Sequence, residues 1–258
     1  MTRQRSDEEG ADGGMQVITR AAAILGALAE PDGGRSLAHL AAQTGLPKTT
    51  VHRICTALEQ VGYVHTDVAT GHRELGPGLL RLAVIGRRDL RTILEPLVEQ
   101  VSVELNETVD LAVLDGGRVL FVAQHPAPQR ALMAIARVGA VFPAYTMASG
   151  KVLLAQLPRE DVLRRLPRRL EPTLGGRLRT RESLLRELDE ARATGLGYER
   201  EEMRHGICAV AVAVADIDGR AASIAVPMPT TRFEESQERV AALLLEIKRA
   251  TEARLGGA

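Results

Sequence analysis

The sequence predicts two folded domains: a small, mainly helical one that ends in a β-hairpin, and a larger α+β one on a mostly antiparallel sheet. Three observations carry this. Up to residue 60, apolar residues recur at three- and four-residue steps in three short blocks. The run Gly76-Pro77-Gly78 then marks a joint. From Val109 onward, strand-length apolar segments meet around Asp-Gly turns, with helical blocks between them. The expected division is a disordered tail over residues 1–14, a first domain over 15–76, a linker helix over 77–90 and a second domain over 91–256.

Composition narrows the function. With 258 residues, 45% hydrophobic and 26% charged, the chain has the make-up of a globular protein, which excludes disorder throughout and a fibrous repeat. Tryptophan is absent and Phe and Tyr number three each, so an aliphatic core is expected and base stacking on aromatic platforms is unavailable. That argues against single-stranded nucleic acid as partner. No apolar run reaches the roughly 18 residues of a membrane span, and "MTRQRSDEEGADGG" has no apolar centre of the kind a secretory signal needs. A cytoplasmic protein is expected. Cys55 and Cys208 lie far apart inside apolar patterns, which suits reduced buried thiols. No cofactor or metal is called for, since no ligand spacing is present.

The elements follow in order. Ile18, Ala21, Ala22, Leu25 and Leu28 give a first helix, ended by Pro31-Asp32-Gly33-Gly34. Ser36 can cap a short second helix carrying Leu37, Leu40 and Ala41, which Gly45 stops. In "LPKTTVHRICTALEQVGYV", Pro47 suits the first turn of a third helix, and Val51, Ile54, Cys55, Leu58 and Val61 form its apolar stripe. Thr49, His52, Arg53, Thr56 and Gln60 fall on the opposite face, with Lys48 and Thr50 flanking it. "YVHTDVATGHREL" reads as two short strands around Ala69-Thr70-Gly71, with His72 and Arg73 at the tip. A helix over 79–88 and another over 89–105, bent or restarted at Pro96, lead into a hairpin around Asp115-Gly116-Gly117. A strand over 131–138, helices over 149–157, 159–166 and 180–193, a hairpin around Asp218-Gly219 and a closing helix over 232–255 complete the reading.

Helix, tight turn, helix and hairpin make a winged helix-turn-helix arrangement. A helix fits the major groove, where its first turns reach base edges, while Arg, Lys, Ser and Thr donate to phosphates. Charge agrees. The whole chain is neutral, yet between Gly33 and Arg88 seven Arg and Lys face three acids, a net of +4, and four of the six histidines fall there.

The segments "TRAAAILGALAE", "SLAHLAAQTGLPKTTVHRICTALEQVGYVH", "HRELGPGLLRLA", "LEPLVEQVSVELNETVDLAVLDGGRVLFVAQ", "RVGAVFPAYTMASGKVLLAQL", "GYEREEMRHGICAVAV" and "IDGRAASIAVPMP" closely resemble those of IclR-family transcription regulators. The resemblance spans residues 16–255. It implies a homodimer, or a dimer of dimers, that binds double-stranded DNA at a palindromic operator and answers to a small-molecule effector. It also implies a second domain like GAF and PAS folds. By this resemblance Lys48, Thr49, Thr50, His52 and Arg53 start the recognition helix; within it Thr49, His52 and Arg53, which project from the early apolar-free face, are the expected base contacts, with Thr56 on the same face. Ser36, Lys48 and Thr50 are phosphate contacts, and His72 and Arg73 lie at the wing.

For the second domain the resemblance implies an effector held between the sheet and the loop before Gly150-Lys151, with Phe142, Ala148, Ser149, Glu199, Ile207, Ala209, Ala225 and Pro227 as wall. The GK pair itself is expected to be structural, because no P-loop spacing surrounds it, and Ser149 is expected to cap the helix that follows. Where carboxylate-binding relatives place cysteine and serines, this chain places Ala209, Ala225 and Pro227. That favours a larger apolar or aromatic effector over a two-carbon acid. The alternating Val and Ala of 208–215 also suits a plain sheet core. A nucleophilic Cys208 served by His205, Glu201 or Glu202, or a general base at His125, is the enzymatic alternative, and the apolar strand around Cys208 speaks against it. A second alternative is a domain that only oligomerises.

Overall fold

The computed structural model describes residues 4–30, 36–85, 90–130, 137–171, 180–215 and 221–256. It divides into two compact units, residues 1–88 and 89–258. No helix among the described residues is long and apolar enough to cross a membrane.

The first unit is built from α1 (Gln4–Ala29), α2 (Leu37–Thr44), α3 (Lys48–Gln60), the two-stranded hairpin β1 (Val64–Thr66) and β2 (Arg73–Leu75), and α4 (Pro77–Ile85). α1 starts at Gln4, inside the segment read as a disordered tail. Once nucleated, a helix gains a hydrogen bond per added residue. The helical period is right but the docked face is shifted: Ile24 is fully buried with Ala21, Ala27 and Leu28 against it, while Ile18 and Ala22 are exposed. Leu40 of α2 and Val51, Ile54 and Cys55 of α3 complete this core. Val61 does not join it. It follows the helix end, where Gly62 (φ 76°) redirects the chain, and its side chain faces solvent. Ser36 caps α2 as expected, its Oγ accepting from the His39 amide at 3.2 Å. Gly45 in the left-handed region (φ 67°) makes the turn into α3.

The second unit holds α5 (Leu90–Leu105), β3 (Val109–Asp115), β4 (Arg118–His125), β5 (Val141–Pro143), a 3-10 turn (Ala144–Thr146), α6 (Ala148–Ala155), α7 (Arg159–Arg165), α8 (Arg181–Thr194), β6 (Leu196–Arg200), β7 (Ile207–Ala215), β8 (Ala221–Pro229) and α9 (Thr230–Gly256). The strands form one antiparallel sheet in the order β5-β4-β3-β8-β7-β6. Periodicity missed β5 and β6, whose three and five residues are too short to show alternation. Most of the strand expected over 131–138, and the Asp218-Gly219 turn, lie outside the described residues. Pro96 sits inside α5 without ending it.

The Val and Ala of β7 divide the work of the sheet. Val210, Val212 and Val214 pack with Ile224 and Val226 against α5 and α9, burying Leu94, Val98, Phe233 and Leu244. Ala209, Ala211 and Ala213 face the other way, toward Ala148, Val152 and Leu153 of α6. Small residues let that helix come close. A Cβ on Gly197 of β6 would stand 2.6 Å from Val152 Cγ1, and one on Gly150 would stand 2.1 Å from the Ala144 carbonyl oxygen. A β-bulge interrupts the β3–β4 ladder: Leu111 pairs with Ala123 but Ala112 with Phe121, leaving Val122 as the extra residue. Ala123 therefore joins the α5 and α9 side and Phe121 the α6 side.

Candidate functional site

In the first unit, docking of α3 through Val51, Ile54 and Cys55 leaves Lys48, Thr49, His52, Arg53 and Thr56 exposed, with Thr50 half-buried. Thr49, His52, Arg53 and Thr56 share one face at helical spacing. The Thr56 hydroxyl donates to the His52 carbonyl at 3.0 Å, so its proton is committed inside the helix and only its lone pairs face outward. Ser36, half-buried, accepts as a cap while its own O–H stays available to donate.

The hairpin is held by Asp67, whose Oδ1 accepts from the Ala69 and Thr70 amides and from the Thr70 hydroxyl. Those bonds, Thr70's hydroxyl first, hold the Asp67 carboxyl below the usual carboxylate range. Glu59 ties the wing to α3 by accepting from the Thr66 amide at 3.0 Å. His72 is exposed at the tip. Arg73 is half-buried instead: Nη1 donates to the Gly71 carbonyl at 2.6 Å and Nε is buried. Part of its guanidinium is thus spent on the hairpin, which makes it a weaker outward contact than its tip position suggested. Burial pushes the Cys55 thiol up, the behaviour of an inert core residue.

In the second unit, one cavity of about 150 Å³ gathers Phe142, Ala148, Ser149, Glu199, Ile207, Ala209, Ala225 and Pro227, all eight residues put forward from the sequence. Sequence reasoning missed its other lining residues: Asp110, Phe121, Met147, Met203 and Arg204. Phe121 arrives through the bulge, which no residue pattern announced. Its ring meets Phe142 edge-on, centroids 5.7 Å apart. Met203 and Arg204 come from the loop after β6.

Ser149 does not cap α6. The helix begins one residue earlier behind Met147, because Gly150 is seated on Ala144 and the Lys151 amide already bonds the Met147 carbonyl. Ser149 is instead buried in the first turn, against the cavity. Lys151 is buried as well: Nζ donates to the Tyr198 carbonyl at 2.7 Å and to Glu202 at 2.5 Å, with Glu187 at 3.0 Å. The GK pair is therefore a clamp between α6, the β6 edge and the loop that supplies Met203 and Arg204.

Two buried acids face the cavity. Burial pushes Asp110 up to about 7, against a bond from Gln124. Burial likewise pushes Glu199 up to about 7, although the Met203 and Glu202 amides donate to it. A carboxyl that keeps its proton to higher pH when folded favours the folded state at low pH. That advantage is lost as pH rises from the unfolded value, near 4, through about 7. The melting temperature should therefore fall between pH 5 and pH 8. Asp110→Asn should flatten part of that slope; an unaltered slope in the variant would remove Asp110 as its source.

Cys208 touches the Thr230 hydroxyl at 3.5 Å, and burial pushes its thiol up. His205 is exposed and lies 3.7 Å from Glu201, not on the thiol. Glu201 reaches the thiol only through the Thr230 hydroxyl, which donates to Glu201 at 2.7 Å, and a thiol pushed up is the reverse of an activated nucleophile. No metal-ligating cluster is found among the described residues.

A helix-turn-helix unit followed by an α+β unit is the build of a two-domain class of transcription regulator. Residues 17–68 match the IclR helix-turn-helix domain and residues 82–253 the C-terminal domain of bacterial IclR transcriptional regulators. The chain belongs to the IclR family of transcriptional regulators.

Among relatives, it is 40% identical over 239 residues to the HTH-type transcriptional regulator Rv1719 of Mycobacterium tuberculosis, covering 93% of this chain and 92% of that one. It is 35% identical over 255 residues to TtgV of Pseudomonas putida, covering 98% and 97%. A solved IclR regulator from Alicyclobacillus acidocaldarius superposes with a TM-score of 0.79 at 25% identity over 92% of this chain and 98% of that one. An IclR homolog from Microbacterium hydrocarbonoxydans, complexed with 4-hydroxybenzoate, gives a TM-score of 0.79 at 24% identity over 94% and 100%. These relatives are regulators rather than enzymes, and the chain is read as one of them.

Proposed function

We propose that the protein is a repressor of a metabolic or catabolic operon, binding a palindromic operator with an affinity set by a small apolar or aromatic effector. The observation that carries the effector reading is the cavity lined by the Phe121–Phe142 pair and the small side chains Ala209, Ala225 and Pro227. Apolar walls with a few placed polar groups are the usual make-up of a small-molecule site. The complex of the Microbacterium homolog with 4-hydroxybenzoate supports a ring-sized ligand. For the DNA, Thr49, His52 and Arg53 are the base readers, Ser36, Lys48 and Thr50 hold phosphates, and Thr56, His72 and Arg73 assist.

Association of copies fits the exposed apolar side chains Ile18 and Leu80 in the first unit and Val103 in the second. A dimer reading a palindrome must span half-sites about one helical turn apart, so a ligand that alters the spacing of two copies alters affinity.

The test is a gel-shift series with DNA flanking the protein's own coding sequence, run beside thermal melts with candidate aromatic compounds. A true effector should raise the melting temperature with its excess over Kd and change operator affinity at least fivefold. A compound that stabilises the protein without changing operator affinity would leave the second domain an oligomerisation module.

A further inference from the structure

Asp110 and Glu199 stand in the cavity wall three strands apart, on β3 and β6. Both are 3% exposed. The registers Asp110–Ala225–Ala211 and Glu199–Ala209–Pro227 put both acids on the face of the sheet that forms the cavity floor. Three strand spacings amount to about 14 Å in the hydrogen-bonding direction. Between the acids lie only small or apolar groups, with the two phenylalanine rings to one side.

Each carboxyl is half-satisfied. Asp110 Oδ1 accepts from Gln124 Nε2 at 2.5 Å, and Glu199 Oε1 accepts from the Glu202 and Met203 amides at 2.7 and 3.2 Å. Among the described residues, no donor reaches the second oxygen of either acid. Neither second oxygen is fully enclosed, so each stands open to the cavity, where a ligand or water can supply the donor. Cationic help is scarce: Lys151 is engaged by Glu202, Glu187 and the Tyr198 carbonyl, and Arg204, the one cation among the described lining residues, is exposed. The first-turn amides of α6 carry only fractional positive charge. An incoming carboxylate would meet two acids. Their raised proton affinity, caused by burial, fits an environment that already resists negative charge.

We propose that the cavity takes a flat apolar molecule with a hydroxyl or amino donor at each end and no carboxylate, Asp110 accepting at one end and Glu199 at the other. This rests on the effector reading of the same cavity. A site built around buried acceptors discriminates strongly against ligands that leave them unpaired.

Calorimetric titration of the full chain tests it with three ligand types on one-ring and two-ring frames: hydroquinone and naphthalene diol, phenol and naphthol, and the matching hydroxy acids. The better diol should bind at least tenfold tighter than its one-donor analogue and its hydroxy acid. Asp110→Asn, whose amide can donate to a carboxylate, should shrink the diol-to-hydroxy-acid ratio at least tenfold, and Glu199→Gln should act likewise from the other end, with melting curves confirming folding. A hydroxy acid that binds as tightly as the diol, no binding by either diol, or a ratio unchanged in both folded variants overturns the proposal. Operator affinity read in parallel separates the two claims. A hydroxy acid that binds and alters operator affinity keeps the effector reading and ends the ligand class; a diol that binds as stated without altering operator affinity does the reverse.

Discussion

Lys151→Met should lower the unfolding free energy of the second unit by about 3 kcal/mol, because it strips the cation from a buried cluster and leaves its acceptors behind. Glu202, Glu187 and the Tyr198 carbonyl all converge on that ammonium. For a unit of this size, the loss corresponds to a drop of roughly 6–12 °C in melting temperature. The double variant Lys151→Met/Glu202→Met should recover part of it, since removing both members of an ion pair avoids an uncompensated charge. Thermal denaturation at neutral pH is the measurement. A single variant that melts within about 2 °C of the parent would mean that the clamp holds nothing. Because Glu202 adjoins Met203 and Arg204, the same variant should also weaken ligand binding at the cavity they line.

Arg53→Ala should weaken operator binding by about 1–3 kcal/mol and blur the distinction between operator and random DNA, if Arg53 reads a base edge. Lys48→Ala should weaken both DNAs about equally and reduce the salt dependence of binding by about one unit of slope. The contrast between the two residues is the informative quantity. Both are exposed at the start of α3, so neither substitution should disturb the fold. Filter binding over a salt series gives both readings. If Arg53→Ala loses no more specificity than Lys48→Ala, the assignment of Arg53 as a base reader is wrong.

How much of this was legible beforehand depends on the kind of signal. Periodicity marked α2 and α8 nearly to the residue, because their caps are chemical: Ser36 and Thr180 accept first-turn amides, while Gly45 and Gly195 adopt left-handed φ. It misjudged α1, where alanines on several faces let the docked stripe be drawn through Ile18 rather than Ile24. β5 and β6 are shorter than the pattern that would reveal them. Family resemblance, not periodicity, assembled the eight cavity residues, and the structure brings those eight side chains together. Asp110 escaped notice because a lone acid in a strand reads as a solvent-facing residue, and only the antiparallel order of β3 beside β8 buries it. Arg73 escaped in the opposite sense, since the hairpin turns its side chain back onto Gly71.

The bulge in β4 has an evolutionary corollary. Residues two apart in a regular strand share a face, so Phe121 and Ala123 would stand together were Val122 an ordinary ladder residue between them; as a bulge it sets them on opposite faces. Which side chain of β4 lines the cavity is thus decided by counting residues, not by choosing them. Point substitutions at position 121 can only resize the wall. Deleting Val122 would leave Leu111 opposite Ala123 and Ala112 opposite Phe121 in an unbroken ladder, so the phenylalanine would stay in the wall; a β4 that kept Val122 as an ordinary ladder residue would instead turn Phe121 under α5 and α9.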